Sequence, residues 1–576
     1  MTAASSPAVG ARTGPPAAAE PQSLSATMSR QRVLLVLASV VLGMLLASID
    51  QTIVGTAMPR IIAELNGLEH YAWVATSYLL ASTVAVPIWG KLSDIYGRKI
   101  FFIGGMALFL VGSALSGVSQ SMTQLIIFRA IQGLGGGAMM PIAMALIGDL
   151  FPPAERGKWQ GVLMAIFGLS SIIGPTAGGW ITDNWGWRWT FYVNMPVGAV
   201  ALVVAVLVLP AAGARRRHQI DYLGSAALIA GAVPLLLAFS WAGTQYAWVS
   251  AQVIGLLALA VVMLAAFVMI ELRAPEPIIT PALFKNRTFS ISVLATFLTA
   301  AGMFGAIIYL PLFVQGVLGN SATSSGAVTT PMMIGFIVSS IAGGQILSRT
   351  GRYKFLAIGG FAVAAVGLFL LAGMGVTTSN GVVIRNMVIM GLGIGVSMSL
   401  FTIIVQNAFP FSYLGQVTAS LTFFRSMGST IGIAVFGSVM TNQFQRALAH
   451  NLSPALTRAI PAHQLAAFRN PQVLLAPGAA GHIQQGFARL GPQGLTLFHQ
   501  LMQAIRVSLT SAITDLFFVG GCAMVLALVV VLFLPELPLR TGNQAPLVED
   551  AAETTPSAPE VEYAAALAGE ERVMAG

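Results

Sequence analysis

Long apolar runs separated by short polar turns fill the sequence from residue 33 to residue 534. A helix that crosses a bilayer needs about 20 predominantly apolar residues, and fourteen runs of about this length are present. Glycine and proline within the runs are compatible with helices, because membrane helices tolerate both. The pattern predicts fourteen membrane-spanning helices, over residues 33–55, 70–90, 100–118, 123–147, 159–180, 190–210, 222–243, 248–271, 288–310, 326–347, 355–374, 381–406, 415–440 and 510–534.

The composition agrees with a membrane protein. Hydrophobic residues make up 56% of the chain and charged residues only 9%, and the mean hydropathy is +0.81. Soluble domains carry about 25% charged residues, so this composition excludes that class. The formal charge of +9 does not indicate a nucleic-acid partner, because the basic residues are divided among many loops. The single cysteine, Cys522, lies within the last run and offers no disulfide framework.

The basic residues mark one side of the membrane, because they lie in every second connection between the predicted helices. That side carries Arg30, Arg32, Lys91, Arg98, Lys99, Arg156, Lys158, Arg215, Arg216, Arg217, Arg273, Lys285, Arg287, Arg349, Arg352 and Lys354. The short connections on the other side contain little beyond Arg60 and Arg188. The positive-inside rule therefore predicts that the first side is cytoplasmic and that both termini lie there.

The helix count divides the chain into two bundles of six helices with an extra pair between them. We predict a disordered cytoplasmic tail at 1–29, an N-terminal bundle at 30–215, an inserted pair at 216–287, a C-terminal bundle at 288–540 and a disordered cytoplasmic tail at 541–576. The C-terminal bundle contains a long extracytoplasmic loop at 441–509. The apolar residues of this loop fit short amphipathic helices on the outer face, and a loosely folded connector fits equally well.

A basic, glycine-punctuated turn joins the second and third helices, with the sequence Gly90-Lys91-Leu92-Ser93-Asp94-Ile95-Tyr96-Gly97-Arg98-Lys99. A degenerate copy, residues 344–352, joins the corresponding helices of the second bundle and keeps Gly351 and Arg352 but has Ser348 in place of the acid. Asp94 is placed to pair with cations or to cap a neighbouring helix. We expect it to form a gate contact in one conformation only, and a weaker contact in the second copy. A basic loop that only orients the helices is the alternative.

Three ionisable side chains within the apolar runs are candidates for chemistry. Asp50 is the acid most clearly inside a span, which makes it the candidate for a group that binds a proton outside and releases it inside. A neutral, hydrogen-bonded acid at the interface is the alternative. Arg129 needs a partner or a wet cavity, because a charge near the bilayer centre costs at least ~2.5–3.5 kcal/mol. The alternative is that Arg129 only snorkels to the interface or holds its helix in place. Arg425 also lies within an apolar run and needs a partner or a wet cavity in the same way.

Other patterns indicate packing rather than chemistry. Gly174, Pro175, Gly178 and Gly179 remove side-chain bulk from the fifth helix and favour a kink with close helix contact. The glycine run 133–137 is not a nucleotide loop, because no strand precedes it. The histidines are too far apart for a local zinc site, and no ATP-binding loop is present. We expect no metal site and no ATP hydrolysis.

The turn at Gly90–Lys99 resembles the signature loop of the major facilitator superfamily, whose pattern is Gly-x-Leu-x-Asp-x-x-Gly-Arg-Lys. Four further stretches resemble the fourteen-helix drug:proton antiporter branch of that superfamily: Ala47–Val54 in the first helix, Leu125–Gly133 in the fourth, Ser170–Gly179 in the fifth, and Trp187–Trp189 with Asn194–Pro196 before the sixth. Ser170 stands where glycine is common. The likeness extends over residues 33–534.

The resemblance implies an all-α membrane protein with the major facilitator fold: two six-helix bundles, an inserted two-helix pair and fourteen transmembrane helices. It also implies a proton-coupled exporter of amphiphilic drugs or toxic compounds, not an enzyme, with alternating access between the bundles. Arg129 resembles the proton-transfer arginine that tunes a nearby acid. Export of a dedicated endogenous lipid or secondary metabolite is the alternative.

Soft and amide side chains are the candidates for lining a central cavity. These candidates are Met303, Phe304, Tyr309, Gln406, Asn407 and Arg425. Because Asp50 is the one acid placed securely within a span, we expect neutral, monocationic or anionic substrates rather than dications. The expected partners are these amphiphiles and the lipid bilayer, with no nucleic acid, no obligate protein partner and no cofactor beyond protons. The expected location is the bacterial cytoplasmic membrane.

Overall fold

The computed structural model describes residues 28–65, 71–210, 221–243, 245–319, 322–410, 413–453, 456, 487 and 492–539. Their long helices are α1 (Arg30–Leu65), α2 (Tyr71–Tyr96), α3 (Arg98–Val118), α4 (Met122–Leu150), α5 (Pro153–Asn184), α6 (Asn194–Val208), α7 (Tyr222–Trp241), α8 (Ala251–Glu271), α9 (Arg287–Leu312), α10 (Ala322–Thr350), α11 (Lys354–Ala372), α12 (Asn380–Ala408), α13 (Leu414–Asn451) and α14 (Pro492–Leu532). The predicted tails lie almost wholly outside the described residues.

Within the described part of the chain, the prediction of an all-α membrane protein is confirmed. Thirteen helices are long and apolar enough to cross a membrane, and α9 contributes a shorter apolar stretch at Arg287–Met303. Local signals explain several helix starts. The side chain of Ser121 accepts the Gln124 amide at the start of α4, as expected of an N-cap serine. Between α2 and α3, Gly97 has a φ of 97°, which glycine adopts without steric cost.

Helices α1–α6 and α9–α14, called the first half and the second half below, repeat one packing order. In the first half, α1 packs against α5 and α6, and α4 packs against α2 and α3. In the second half, α9 packs against α13 and α14, and α12 packs against α10 and α11. Gly133 of α4 lies against the Tyr78 carbonyl of α2, and Gly391 of α12 lies against the Met332 carbonyl of α10. A side chain at either glycine would overlap that backbone.

The two halves meet through α5 with α10 and through α2 with α13. The inserted helices α7 and α8 pack on each other, and α7 also contacts α2 and α13. We call the end of the bundle that carries Gly90–Lys99 the basic end, and the other the opposite end. The inserted pair therefore lies beside the seam between the halves.

The loop predicted at 441–509 is shorter than expected, and the helix boundaries of that prediction are wrong. Helix α13 continues to Asn451, and α14 begins at Pro492. Phe444 and Leu448, one turn apart on α13, are buried, and the Asn451 amide donates to the Ser508 hydroxyl across 3.1 Å. Both helices extend because each keeps an apolar face that its partner covers. Most of the remaining loop lies outside the described residues, so its amphipathic helices stay a prediction.

A polar contact joins α1 to the connection before α6 at the opposite end. Trp187 donates its indole N–H to Glu64 across 2.7 Å, and Arg188 forms an ion pair with the same carboxylate. Glu64 lies beyond the apolar part of α1, which ends at Met58. The hydrogen bond from Arg188 is the largest cause that lowers the pKa of this carboxyl, and the bond from Trp187 comes next.

This contact predicts a pH-dependent contribution to stability. A carboxyl whose pKa is lowered by folding stabilises the folded state above its unfolded pKa, about 4.3, and loses that contribution as pH falls through the lower folded value. Glu64→Gln should therefore lower the melting temperature at pH 7 by an amount that shrinks as the pH falls below about 4.3. The effect should be about 1 kcal/mol or less, because the pair is half exposed. Thermal melts across this range test it, with Glu155→Gln as control; a pH-independent difference would contradict it.

Candidate functional site

The structure brings Asp50 and Arg129 together inside the first half. Both side chains are buried, at 0% and 2% exposure, and Nη1 of Arg129 lies 2.6 Å from Oδ2 of Asp50. The other carboxylate oxygen accepts from the side-chain amides of Gln132 and Asn194, each at 2.8 Å. Asp50 thus has a charged partner and two amide donors, whereas the alternative was a neutral, hydrogen-bonded acid at the interface.

Close helix contacts hold Arg129 in place. An added Cβ at Gly136 would overlap the Tyr78 hydroxyl, so glycine lets the tyrosine of α2 reach α4. The guanidinium carbon of Arg129 lies 4.3 Å from the centre of the Tyr78 ring, a favourable cation–π distance. Its Nη1 also donates to the Gln132 side-chain oxygen at 2.8 Å. The guanidinium is therefore fixed from three sides.

Gln132 and Asn194 have roles that the sequence interpretation missed. Both stand within stretches that carry the family resemblance, but no function was assigned to them. Asn194 also donates to the Ser113 hydroxyl at 3.0 Å, and that hydroxyl donates to the Phe191 carbonyl at 2.9 Å. An amide side chain in an apolar run is the signal that could have identified them, because a buried amide needs partners.

Helices of the first half meet closely near this ion pair, on one side of α1. An added Cβ at Gly174 of α5 would overlap the Thr52 side chain, and one at Gly178 would lie 2.9 Å from the Ile53 carbonyl. These two glycines therefore let α5 touch α1, as the small-residue stripe predicts. Gly179 faces open space, so it has no part in this contact. The side chain of Pro175 lies outside the described residues.

At the basic end, Asp94 links the two halves. Its carboxylate accepts the backbone N–H groups of Gly415 and Gln416, at 3.0 and 2.6 Å, at the start of α13. It also forms an ion pair with Arg98, which reaches Asp149 at 3.1 Å. A carboxylate at a helix N-terminus satisfies orphan donors and complements the helix dipole. We call this group the latch.

Among the described residues, the second copy of the basic turn makes no such link. Gly351 has a φ of 67°, and its counterpart Gly97 also has a positive φ. The backbone turn is therefore repeated. Ser348, however, donates to the Gln345 carbonyl of its own helix, and Arg352 is exposed. Ser348 has a neutral hydroxyl where the first copy has a carboxylate. It therefore lacks the negative charge that favours acceptance of two N–H groups. Lys99 is half-buried.

A second seal lies deeper at the same end. Gln406 of α12 donates to the Met144 carbonyl at 3.2 Å and to the Thr418 hydroxyl at 3.0 Å, and it accepts from Gln160 at 3.0 Å. It is 1% exposed. Four helices from both halves therefore converge on this one amide side chain.

The predicted cavity residues separate into different places. Gln406 belongs to the seal, and Asn407 donates to the Pro538 carbonyl at 3.1 Å near the end of the described chain. That position does not fit a central cavity, so the prediction for Asn407 is wrong. Adjacent residues on a helix point in directions about 100° apart, which explains why two neighbouring amides diverge.

The remaining cavity candidates lie on α9 and α13. Met303 is buried at 3% exposure. The Tyr309 hydroxyl lies 3.0 Å from where a Cβ on Gly437 of α13 would stand. The side chain of Phe304 lies outside the described residues. Arg425 of α13 is 7% exposed, and its Nη2 lies 3.1 Å from the sulfur of Met140 on α4. Arg425 is therefore the candidate that lies between the halves. Among the described residues, no group of three or more histidine, cysteine or acidic side chains could hold a metal.

Removing the latch should open the basic end. A side chain that accepts the amide N–H groups at a helix start contributes about 0.5–2 kcal/mol when it caps its own helix. Asp94 accepts two such groups of α13 from another helix, so Asp94→Ala should shift the equilibrium roughly 2- to 30-fold towards the open state. Thr418→Cys in a Cys522→Ser background reports this shift, because Thr418 is 1% exposed in the closed seal. Labelling by a membrane-impermeant maleimide applied to the basic side should accelerate by that factor.

The exposed acid Glu155, at the same end, provides the matched control. Glu155→Ala should leave the labelling rate within twofold of the parent. Equal rates in the parent and in Asp94→Ala would show that the latch does not hold the basic end closed.

Comparison with known proteins gives consistent matches. The family model described as Major Facilitator Superfamily matches residues 40–433. The multidrug transporter protein MdtP of Bacillus subtilis is 41% identical over 541 residues, which cover 92% of this chain and 97% of that protein. Multidrug resistance protein 3 of the same organism is 37% identical over 506 residues, which cover 88% of this chain and 96% of that protein.

Solved structures show the same fold at low sequence identity. The proton:xylose symporter XylE superposes with a TM-score of 0.57 at 14% identity, over 90% of this chain and 98% of its own. The human organic anion transporter MFSD10 superposes with a TM-score of 0.58 at 15% identity, over 88% and 100%. At these identities the likeness establishes the architecture alone.

Proposed function

Because this chain belongs to the Major Facilitator Superfamily, and is therefore a multi-pass membrane transporter rather than an enzyme, we propose that it exports amphiphilic small molecules in exchange for protons. The names of its Bacillus relatives, a multidrug transporter and a multidrug resistance protein, support export of varied compounds. They also support a location in the bacterial cytoplasmic membrane. The basic end is then cytoplasmic, as the positive-inside rule predicts.

The buried pair of Asp50 and Arg129 is the observation that carries proton coupling. Asp50 is the group that binds the proton, and it lies about 30 Å along α1 from Arg30 at ~1.5 Å per residue, towards the opposite end. Protonation removes its charge and leaves the Arg129 guanidinium with the Gln132 side chain, the Val74 carbonyl and aromatic rings as neighbours, but without a counter-charge. Because an unpaired buried charge is costly, the protonated state favours a rearrangement of α1 against α4. That rearrangement is the proposed link between proton binding and helix movement.

The latch and the seal support alternating access. The hydrogen bonds of Asp94 and Gln406 join the two halves at the basic end, which supports assigning this arrangement to a state closed to the cytoplasm. In the proposed cycle, a proton entering from the opposite end reaches Asp50 in this state. Opening of the latch then exposes the substrate path to the cytoplasm. The repeated halves are the architecture in which one bundle rocks against the other.

Proteoliposomes test the proposal directly. The purified chain is reconstituted into vesicles with an acidic interior and an enclosed pH-sensitive dye, and neutral, cationic and anionic amphiphiles are added in turn. A substrate should accelerate proton release from the vesicles beyond the rate that the same compound causes in protein-free vesicles. Substrate uptake without proton movement would contradict coupling and leave a uniporter or a dedicated lipid exporter. Proton movement driven best by dications would contradict the expected substrate range.

A further inference from the structure

Arg425 lies between the two halves, at about half the thickness of a ~30 Å bilayer core from the basic end. It follows Leu414, the first residue of α13, by eleven positions, or about 16 Å at ~1.5 Å per residue. Its neighbour Met140 precedes Leu150, the last residue of α4, by a similar distance. Both residues thus lie well inside the membrane on helices from different halves. Substrate sites in transporters with repeated halves lie near the midplane, at the interface between the repeats.

The closed seal lies just below Arg425 on the cytoplasmic side. Thr418, which accepts from Gln406, precedes Arg425 by two helical turns on α13. Met144, whose carbonyl also accepts from Gln406, follows Met140 by one turn on α4. The seal is therefore about 6–10 Å nearer the cytoplasm than Arg425 at ~1.5 Å per residue. A molecule resting on this seal would meet the guanidinium.

The charge of Arg425 lacks an acidic partner among the described residues. Its side chain is 7% exposed, and its contact is the weakly accepting sulfur of Met140. Other arginines of the helix bundle show what is missing. Arg129 pairs with Asp50, and Arg98 pairs with Asp94 and Asp149. The buried Arg156 donates to the backbone carbonyls of Gly148 and Phe151. A buried charge is costly unless it is paired. A guanidinium offers five N–H donors in a fork that fits a carboxylate or sulfonate.

We propose that Arg425 binds the anionic head group of the transported amphiphile, so that the substrates are carboxylates or sulfonates with an apolar body. This inference rests on the proposed function and narrows its substrate class. The negative charge of the substrate supplies the partner that Arg425 lacks. A bound anion also offsets the cost of burying the Arg425 charge at a seam that opens and closes.

Equilibrium binding to the purified full chain tests the inference without requiring transport. The probes are 1-pyrenebutyrate, 1-pyrenebutanol and 1-pyrenebutylamine, which share one apolar body and differ in head-group charge. The wild-type chain should bind the carboxylate more tightly than the alcohol and the amine. Arg425→Gln should weaken carboxylate binding tenfold or more, because a hydrogen bond to a charged group contributes at least about that factor. Its affinity for the alcohol should change by less than twofold.

Two further variants separate charge from shape. Arg425→Lys should retain part of the carboxylate preference, because the cation remains while the fork is lost. Arg446→Gln, an exposed arginine on the same helix, should change nothing. Arg425→Met should leave the melting temperature unchanged or raise it, since no ion pair is broken.

The outcomes are distinct for this inference and for the proposed function. Equal carboxylate affinity in wild type and Arg425→Gln would overturn the inference, as would equal losses for all three probes or no measurable carboxylate binding by wild type. Arg425-dependent binding without any proton movement in vesicles would support the inference and overturn proton exchange. Proton exchange with amines alone, unaffected by Arg425→Gln, would support the proposed function and overturn the inference.

Discussion

Asp50→Asn is expected to reduce substrate-driven proton release to the level of protein-free vesicles. Asparagine keeps the size of the side chain and can still accept a hydrogen bond, but it cannot bind and release a proton near neutral pH. The exchange therefore loses the group that couples it to the gradient. Substrate binding should persist, because Asp50 lies within the first half, away from the seam at Arg425. The measurement is dye-reported proton release together with equilibrium binding on the same preparation.

The substitution also breaks a buried ion pair, so stability must be followed beside function. Removing one partner of such a pair costs about 3–5 kcal/mol, because the other charge stays buried. Asp50→Asn combined with Arg129→Gln should recover much of the melting temperature but none of the proton release. Asp183→Asn is the matched control, since Asp183 is 74% exposed in a loose pair with Arg60 at 3.9 Å. Normal proton release by a folded Asp50→Asn protein would move coupling to another acid.

The helices and the family could be predicted from the sequence because each depends on local pattern. Twenty apolar residues form a spanning helix wherever they stand, and the glycine of the basic turn at Gly97 has the positive φ that its sequence context demands. The extension of α13 past residue 440 escaped prediction, because polar residues follow the apolar run there. Its buried face is recognisable only once α14 is known to cover Phe444 and Leu448.

Individual residues of the candidate site could be predicted from the sequence, but their contacts could not. Asp50 and Arg129 stood out because each is a charge in an apolar run, and the structure joins them across α1 and α4. The partner of Asp94 could not be read from side-chain chemistry, because it consists of backbone N–H groups at the start of α13. Any residue type supplies such donors, so only the three-dimensional arrangement of the halves identifies them. The partners of Gln406 could not be predicted either, because Met144, Gln160 and Thr418 come from three other helices.

Gly344→Val is expected to prevent closure of the basic end and thereby stop transport. On α10, an added Cβ at Gly344 would overlap the Gly157 carbonyl of α5, and one at Gly157 would lie 2.6 Å from the Gly344 carbonyl. The two backbones touch, so no side-chain rotation can relieve the clash. Overpacking costs about 1–3 kcal/mol, which shifts the equilibrium roughly 5- to 150-fold towards the open state. Because the latch and the seal close this same end, they cannot form while α5 and α10 are held apart.

Spin-label distances between α5 and α10 at the basic end provide the measurement, with substrate-driven proton release on the same samples. Gly344→Val should lengthen the distance and abolish release. Gly359→Val is the matched control, because Gly359 is exposed on the next helix and an added Cβ there meets no atom within 4 Å. A closed, active Gly344→Val protein would show that the helix contact is not part of the gate. Loss of release with an unchanged distance would place the defect elsewhere in the cycle, since closure of the seam would then be intact.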